Sequence, residues 1–509
     1  MWPATIVPGE LRHPTPGPAG AAGSYLLLMD TITPEPRPAW IAGRPEQGAD
    51  TLLVTHPFDG SEVATVAVPS PEQVERAVAA AVAVAPEFRR SPAHVRAAAL
   101  EHVSRGLAAR AEELAEVITA ENGKPFKWAE AEVKRAISVF RIAAEEARRF
   151  TGDLQRLDTD AGGDGRLAVT RRVPRGPVLG IAPFNFPLNL VAHKVAPALA
   201  VGAPIIVKPA PRTPLSALIL GEILAETELP EGAFSVLPLG NSETSALVAD
   251  PRLPVVSFTG SGPVGWSLAD AAPRKHVVLE LGGNAAAVVL GDWPDLEGAA
   301  ARIATFGNYQ AGQSCISVQR VIVERSVADE FVPALLDAVR AQRTGDPYDA
   351  TVDVGPVVDE DAARRIAAWI DEAVAGGAKV LTGGSREGAT VEPTLLSDVP
   401  PDAKAWAEEI FGPVLAVSVV DSADAAFQAV NDSAYGLQAG VFTRDVRLAF
   451  RASAELEVGG VIVGDVPSYR ADQMPYGGVK GSGVGREGVL AAMNDLTEEK
   501  VTVFTGIEL

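Results

Sequence analysis

The chain has 509 residues, 47% of them apolar and 21% charged; that length calls for two or three domains, and that balance excludes a disordered chain. A formal net charge of −21 excludes a nucleic-acid backbone or an anionic membrane surface as partner, since both would repel it. The single cysteine cannot close an intramolecular disulfide and no apolar run is long enough for a bilayer span, so the cytoplasm is the expected compartment.

Residues 1–29 are rich in Pro and Gly and are expected to form a loosely ordered extension. The apolar run 25–29 is too short for a secretory signal, and Met29 stands as an alternative start. Residues 51–67 alternate apolar and polar side chains around the turn His56-Pro-Phe-Asp-Gly60, which predicts strands. Ala/Glu/Arg-rich stretches with helical spacing follow over 71–88, 92–122 and 127–150. A Gly- and Asp-rich patch at 158–165 breaks that pattern ahead of a strand at 166–173. From Gly176 short apolar strands are predicted at 177–182, 203–208, 234–237, 255–258 and 276–280, with helices at 188–200 and 214–227 between them. Such alternation predicts a parallel sheet covered on both faces. A second alternating series runs from about 286 to 464, with helices at 327–343 and 360–376. The expected fold class is α/β: two parallel-sheet domains and a smaller element.

Chemistry concentrates at a few points. Cys315 lies in Gly-Gln-Ser-Cys, 312–315. A Gly-rich approach suits a nucleophilic thiol, which needs close backbone access to substrate and N–H dipoles near the thiolate; a buried structural thiol is the alternative. Glu280 ends an apolar strand and runs into Leu-Gly-Gly-Asn, 281–284, where partial burial would raise its pKa and suit it to deprotonating water or a thiol. A capping or salt-bridged Glu is the alternative there. Asn185, in Pro-Phe-Asn-Phe-Pro, 183–187, sits in a loop stiffened by two prolines, so its amide can be a preorganised donor to a developing oxyanion, or simply a turn Asn. Phe-Thr-Gly-Ser, 258–261, passes from a strand into a helix and offers free N–H groups to phosphate. Lys208 ends another strand at the edge where open α/β sheets bind ligands, and can meet a ribose or a phosphate; a snorkelling strand-end lysine is equally compatible. The six histidines are scattered and form no metal motif, so no metal site is expected.

These motifs, followed by Glu409-Ile-Phe-Gly-Pro413 and Pro475-Tyr-Gly-Gly-Val-Lys480, occur in an order that resembles the aldehyde dehydrogenase superfamily. The resemblance runs from about residue 39 to the C-terminus and includes Glu121-Asn-Gly-Lys-Pro125 and Asn431-Asp-Ser-Ala-Tyr-Gly436. It implies the family fold, with two Rossmann-like domains and a small β oligomerisation arm. The cofactor domain would take 30–153 and 174–280, the catalytic domain 281–482, and the arm 154–173 with 483–509. It also implies roles. Cys315 would attack the aldehyde, Asn185 and the Cys315 N–H would hold the oxygen, and Glu280 would activate water to hydrolyse the thioester. Phe184, Lys208, Gly240, Gly260, Ser261, Gly265, Glu409 and Phe411 would form the NAD or NADP site. A homodimer or homotetramer is expected, with a small aldehyde as the only other partner. An acylating enzyme that passes the thioester to coenzyme A, and a catalytically silent homologue, are the rivals; Glu280 disfavours the first and the intact trio of Cys315, Glu280 and Asn185 the second.

Two finer expectations follow. Many NAD-preferring relatives carry Glu three residues after the lysine, where this chain has Pro211 followed by Arg212, so nothing there repels a 2′-phosphate and both cofactors should be accepted. The loop 466–478 is expected to line the substrate entrance and carries Arg470. An arginine there is either solvated or salt-bridged, or it meets the anionic or hydroxylated end of a small aldehyde of the lactaldehyde, glyceraldehyde-phosphate, phosphonoacetaldehyde or succinate-semialdehyde type.

Overall fold

The computed structural model describes residues 35–507, so the extension expected at 1–29 lies outside the described residues. Helix Pro71–Phe88 begins where the sequence places it, because Ser70 and Gln73 form a reciprocal capping box with Pro71 in the first turn. The stretch expected as one helix over 92–122 is two, Ala93–Ala109 and Ala111–Asn122. Arg110 breaks it with φ −109° and ψ 24°, its guanidinium bonded to Glu113 and Glu222.

The first sheet has eight strands. Its parallel centre runs in spatial order Phe234–Val236, Ile205–Lys208, Val178–Ile181, Val255–Thr259 and His276–Glu280. In chain order that is third, second, first, fourth, fifth, so the connections reverse direction between Val178–Ile181 and Val255–Thr259. At such a switch point the loops leaving the carboxyl ends diverge and open a crevice. The second sheet has seven strands, parallel across Thr394–Ser397, Val414–Val420, Arg320–Glu324, Ala286–Val289, Gln438–Phe442 and Gly460–Val463. Each sheet is buried, with near-continuous apolar strands such as Ala286–Val289.

A three-stranded antiparallel sheet joins Leu154–Arg156, Arg166–Pro174 and Thr497–Thr505. The tail expected to belong wholly to this arm is divided. Gly483–Val484 pairs instead with the Glu280 strand, and helix Val489–Asp495 packs on the helices Phe126–Arg149 and Asn189–Val201. The reason is local: Val489, Met493 and Leu496 form an apolar face that joins the first domain's core. A Cβ at Gly483 (φ 133°) would come within 2.0 Å of the Leu279 carbonyl, so only glycine allows the close pairing. The tail's contribution to the arm therefore begins at Thr497. Among the described residues no helix is long and apolar enough to cross a membrane.

Candidate active site

The crevice holds a cavity of about 310 Å³ between the two large sheets. Its wall includes Phe184, Asn185, Gly260, Ser261, Glu280, Cys315, Glu409 and Phe411 from the expected set.

The Pro-Phe-Asn-Phe-Pro loop leaves strand Val178–Ile181 and is clamped from below. Asn122 donates to the Phe184 carbonyl at 2.8 Å, and Lys124 Nζ donates to the Asn185 carbonyl at 2.9 Å. Lys124 is itself fully buried against Glu132, whose other oxygen accepts the Leu188 and Asn189 N–H groups at 2.9 and 3.0 Å, at the start of helix Asn189–Val201. Glu121 does the same for the helix starting at Leu215. The Asn185 amide donates to the Gln313 carbonyl at 2.9 Å, which fixes the side chain beside the cysteine loop and leaves a second N–H on the same nitrogen.

That loop is bent by consecutive left-handed residues, Gln310, Ala311 and Gly312 at φ 53°, 54° and 69°. A Cβ at Gly312 would meet the Gly412 carbonyl at 2.0 Å, so the approach to Cys315 needs glycine for space as well as for φ. Cys315 is half-buried, and burial pushes its thiol up to about 12 against the opposing hydrogen bond from Tyr476, whose hydroxyl lies 2.9 Å from Sγ. The thiol is therefore protonated at rest.

Glu280 is buried with neither carboxylate oxygen bonded. Burial, and then the like charge of Glu487, hold its pKa well above the ordinary carboxylate range. Glu487 remains ionised at about 2 although burial opposes it, because Lys194 and Arg470 both pair with it, at 3.4 and 3.0 Å. The neutral member and the charged member of this carboxylate pair are set apart by those two cations.

On the other side of the cavity Glu409 accepts the Gly283 N–H at 3.0 Å and is raised to about 7 by burial. A Cβ at Gly282 would come 2.1 Å from Glu409 Oε2, so a side chain there would displace that carboxylate. Phe411 meets Phe184 edge-on at 5.9 Å. Ser261, on the cavity wall, precedes helix Gly262–Ala271 without capping it, so the first-turn N–H groups have no side-chain acceptor there. Gly265 lies behind the wall, where a Cβ would strike Leu281 at 2.3 Å. Lys208 and Gly240 are outside the cavity wall but follow the next two strands along the same carboxyl edge. Lys208 is depressed to about 8 by burial. A carboxylate acceptor, uncapped helix N–H groups, a buried lysine and two aromatic rings along one edge fit a dinucleotide's hydroxyls, phosphates and rings.

Arg470 is not at an open entrance. It is 5% exposed, paired with Glu487, and stacked 3.8 Å from the centre of the Tyr476 ring; the carboxylate arrives from the segment after the Pro-Tyr-Gly-Gly turn. Its Nε is buried without a partner. Four features escaped the sequence reading. Arg365 lines the cavity and donates to the Ile410 carbonyl at 2.8 Å, but it sits on an ordinary amphipathic helix that gives no signal. Tyr476 and Lys124 were visible only as letters in motifs, and the Lys194–Glu487 pair spans 293 residues. Among the described residues no group of three or more His, Cys, Asp or Glu side chains is arranged to hold a metal ion.

Residues 44–502 match the aldehyde dehydrogenase family. The chain is 40% identical over 466 residues to 3-sulfolactaldehyde dehydrogenase of Priestia aryabhattai, covering 91% of this chain and 97% of that one. Among solved structures it is similar to aldehyde dehydrogenase 21 of Physcomitrella patens in complex with the reaction product succinate, at 45% identity and a TM-score of 0.92, covering 94% and 99% of the two chains. It is also similar to the NADP-dependent glyceraldehyde-3-phosphate dehydrogenase of Bacillus halodurans complexed with NADP, at 36% identity and a TM-score of 0.89, covering 92% and 99%. With that likeness along residues 44–502 and a thiol, a carboxylate and an amide in one crevice, the chain belongs to the aldehyde dehydrogenase family and is an NAD(P)-dependent enzyme that oxidises an aldehyde.

Proposed function

We propose that Cys315 carries the substrate as a thioester and that Glu280 activates the water that releases the acid. The observation that carries this reading is Glu280 itself, a buried carboxylate with both oxygens unpartnered in the same cavity as the only cysteine. Once ionised, such a group is poised to take a proton from water. The Asn185 amide supplies its free N–H to the oxyanion of the thiohemiacetal. Bound NAD or NADP supplies a hydride acceptor, with Ser261, Gly260 and Lys208 toward its phosphates and adenosine ribose, Gly240 and Gly265 shaping that edge, and Glu409, Phe411 and Phe184 around its nicotinamide ribose and ring. Neither Pro211 nor Arg212 repels a 2′-phosphate, and Arg212 is held 2.9 Å from Asp359, so both cofactors are accepted. Water, not coenzyme A, takes the acyl group, because Glu280 shares the cavity with Cys315 and, once ionised, can deprotonate a water beside the thioester.

The substrate is a short aldehyde with an anionic far end. Lys194 and Arg470 both pair with the ionised carboxylate of Glu487 while Glu280 is held neutral, and the Arg470 charge acts on the Cys315 thiol, which favours an anion there. The unpartnered Arg470 Nε gives that charge a donor. Sulfolactaldehyde, glyceraldehyde 3-phosphate and the acid product succinate, named for the similar proteins above, all carry an anion a few bonds from the reacting carbon. Arg470→Ala tests this. The ratio of kcat/KM for succinate semialdehyde over propanal should fall by about tenfold or more, the worth of a charge-assisted hydrogen bond. An equal loss for both aldehydes would assign Arg470 to packing alone.

The arm makes this chain a homo-oligomer. Strands Thr497–Thr505 and Gly460–Val463 are each paired on one side only, and Val501, Val503 and Phe504 are about half exposed, the pattern of an edge covered by another copy.

A further inference from the structure

Tyr476 has no part in the roles assigned above, yet among the described residues its hydroxyl is the side-chain group hydrogen-bonded to the reactive sulfur, 2.9 Å from Sγ. The ring is buried beside Ile316 and Leu437; either atom can donate while the thiol keeps its proton, but once sulfur is a thiolate only the phenol can. The Arg470 guanidinium stacks on the ring at 3.8 Å and is itself fixed by Glu487. A cation against a phenol ring draws electron density from the oxygen and strengthens its O–H as a donor. Burial holds the phenol neutral, well above its ordinary range, so the proton is always present.

We propose that Tyr476 is a further catalytic residue, whose hydroxyl stabilises the Cys315 thiolate as it forms before attack and again as it leaves the acyl group. The proposal rests on the thioester reading above. In the first event the S–H bond breaks, its proton passes to solvent, and the freed electron pair forms the S–C bond. In the last, the oxygen of water bonds to the thioester carbon while ionised Glu280 takes its proton; the C–S bond then breaks and its electron pair returns to sulfur. At both points sulfur carries negative charge within reach of the phenol proton. A hydrogen bond to a charged atom is stronger than one to a neutral thiol, so the contact favours the charged states over the resting one. The other ionisable groups facing the sulfur are Glu280 and Glu409, which oppose its ionisation, Arg470, which favours it, and the Tyr309 phenol.

Tyr476→Phe removes only the hydroxyl and keeps the ring under Arg470. Because Cys315 is the only cysteine, alkylation of the free enzyme by iodoacetamide reads this sulfur without aldehyde or cofactor. The variant should alkylate on the order of tenfold more slowly at neutral pH, with its pH profile moved up by about one unit. An unchanged profile in a variant with the parent's circular dichroism overturns the proposal. A second reading keeps the phenol: 3-fluorotyrosine at position 476, a more acidic phenol of nearly the same shape, should move the alkylation profile to lower pH, and an unmoved profile overturns the proposal even if Tyr476→Phe does not fold. The two readings separate cleanly from the functional one. A barren aldehyde panel with a shifted alkylation profile sinks the thioester chemistry, whereas turnover with an unshifted profile sinks the role of Tyr476.

Discussion

Glu132→Gln removes one charge from beneath the loop that presents Asn185. The Lys124 and Glu132 side chains are both wholly inaccessible to solvent, and removing one partner of such a pair costs about 3–5 kcal/mol. Lys124 would retain the Asn185 carbonyl at 2.9 Å and the Phe186 ring 4.5 Å away, and Gln would still accept the Leu188 and Asn189 N–H groups, so the loss should lie near the lower end, about 3 kcal/mol. Urea unfolding followed by tryptophan fluorescence measures it. Burial already depresses the Lys124 pKa, and Glu132 is what opposes that; without Glu132 the folded pKa falls further below the unfolded one. The unfolded chain then binds more protons through that window, so the deficit should shrink as pH rises from the folded pKa toward the ordinary lysine range. Lys124→Met with Glu132→Gln should recover the stability without recovering turnover, because the Asn185 carbonyl loses its donor and a displacement of the loop by 1 Å costs on the order of a hundredfold. A loss below about 1 kcal/mol, or a deficit that grows with pH, would refute the reasoning.

Other outcomes follow from the same geometry. Glu280 must be ionised to take a proton from water, and burial and Glu487 hold its pKa up, so hydrolysis-limited kcat should rise with pH; Glu487→Gln, which removes the like charge and frees two cations, should move that rise to lower pH, and an upward move would contradict the pairing. NAD and NADP should both support turnover, and a preference for NAD above about a thousandfold, roughly 4 kcal/mol, would overturn dual use. Val503→Lys, on the exposed face of the arm strand, should lower the oligomeric state in light scattering, and an unchanged mass would place the subunit contact elsewhere.

The parts of the site that sequence made legible are those written locally. Glu280, Lys208 and Asn185 each sit at or just past the end of a short apolar strand, where a change of periodicity marks the edge of a parallel sheet, and the topology brings those edges together. Cys315 was legible from its glycine, whose φ and space the loop requires. What sequence hid depends on distant pairing. Arg470 reads as a loop residue until Glu487 comes beneath it from 17 residues on, and nothing near Tyr476 announces a hydroxyl aimed at sulfur. The tail was misdivided for a similar reason, because the apolar face of Val489–Asp495 docks on helices more than 280 residues earlier. At the helix break Arg110 holds one long-range ion pair, to Glu222, that residue spacing does not contain.

The account turns on Glu280 hydrolysing a thioester held by Cys315. Rapid mixing of Glu280→Gln with succinate semialdehyde and NADP tests it most directly, followed by absorbance of the reduced cofactor and by intact mass. The predicted result is a burst of reduced cofactor stoichiometric with active sites, a slow steady state thereafter, and an acyl adduct on a chain whose only thiol is Cys315. Full steady-state turnover with neither burst nor adduct would contradict it.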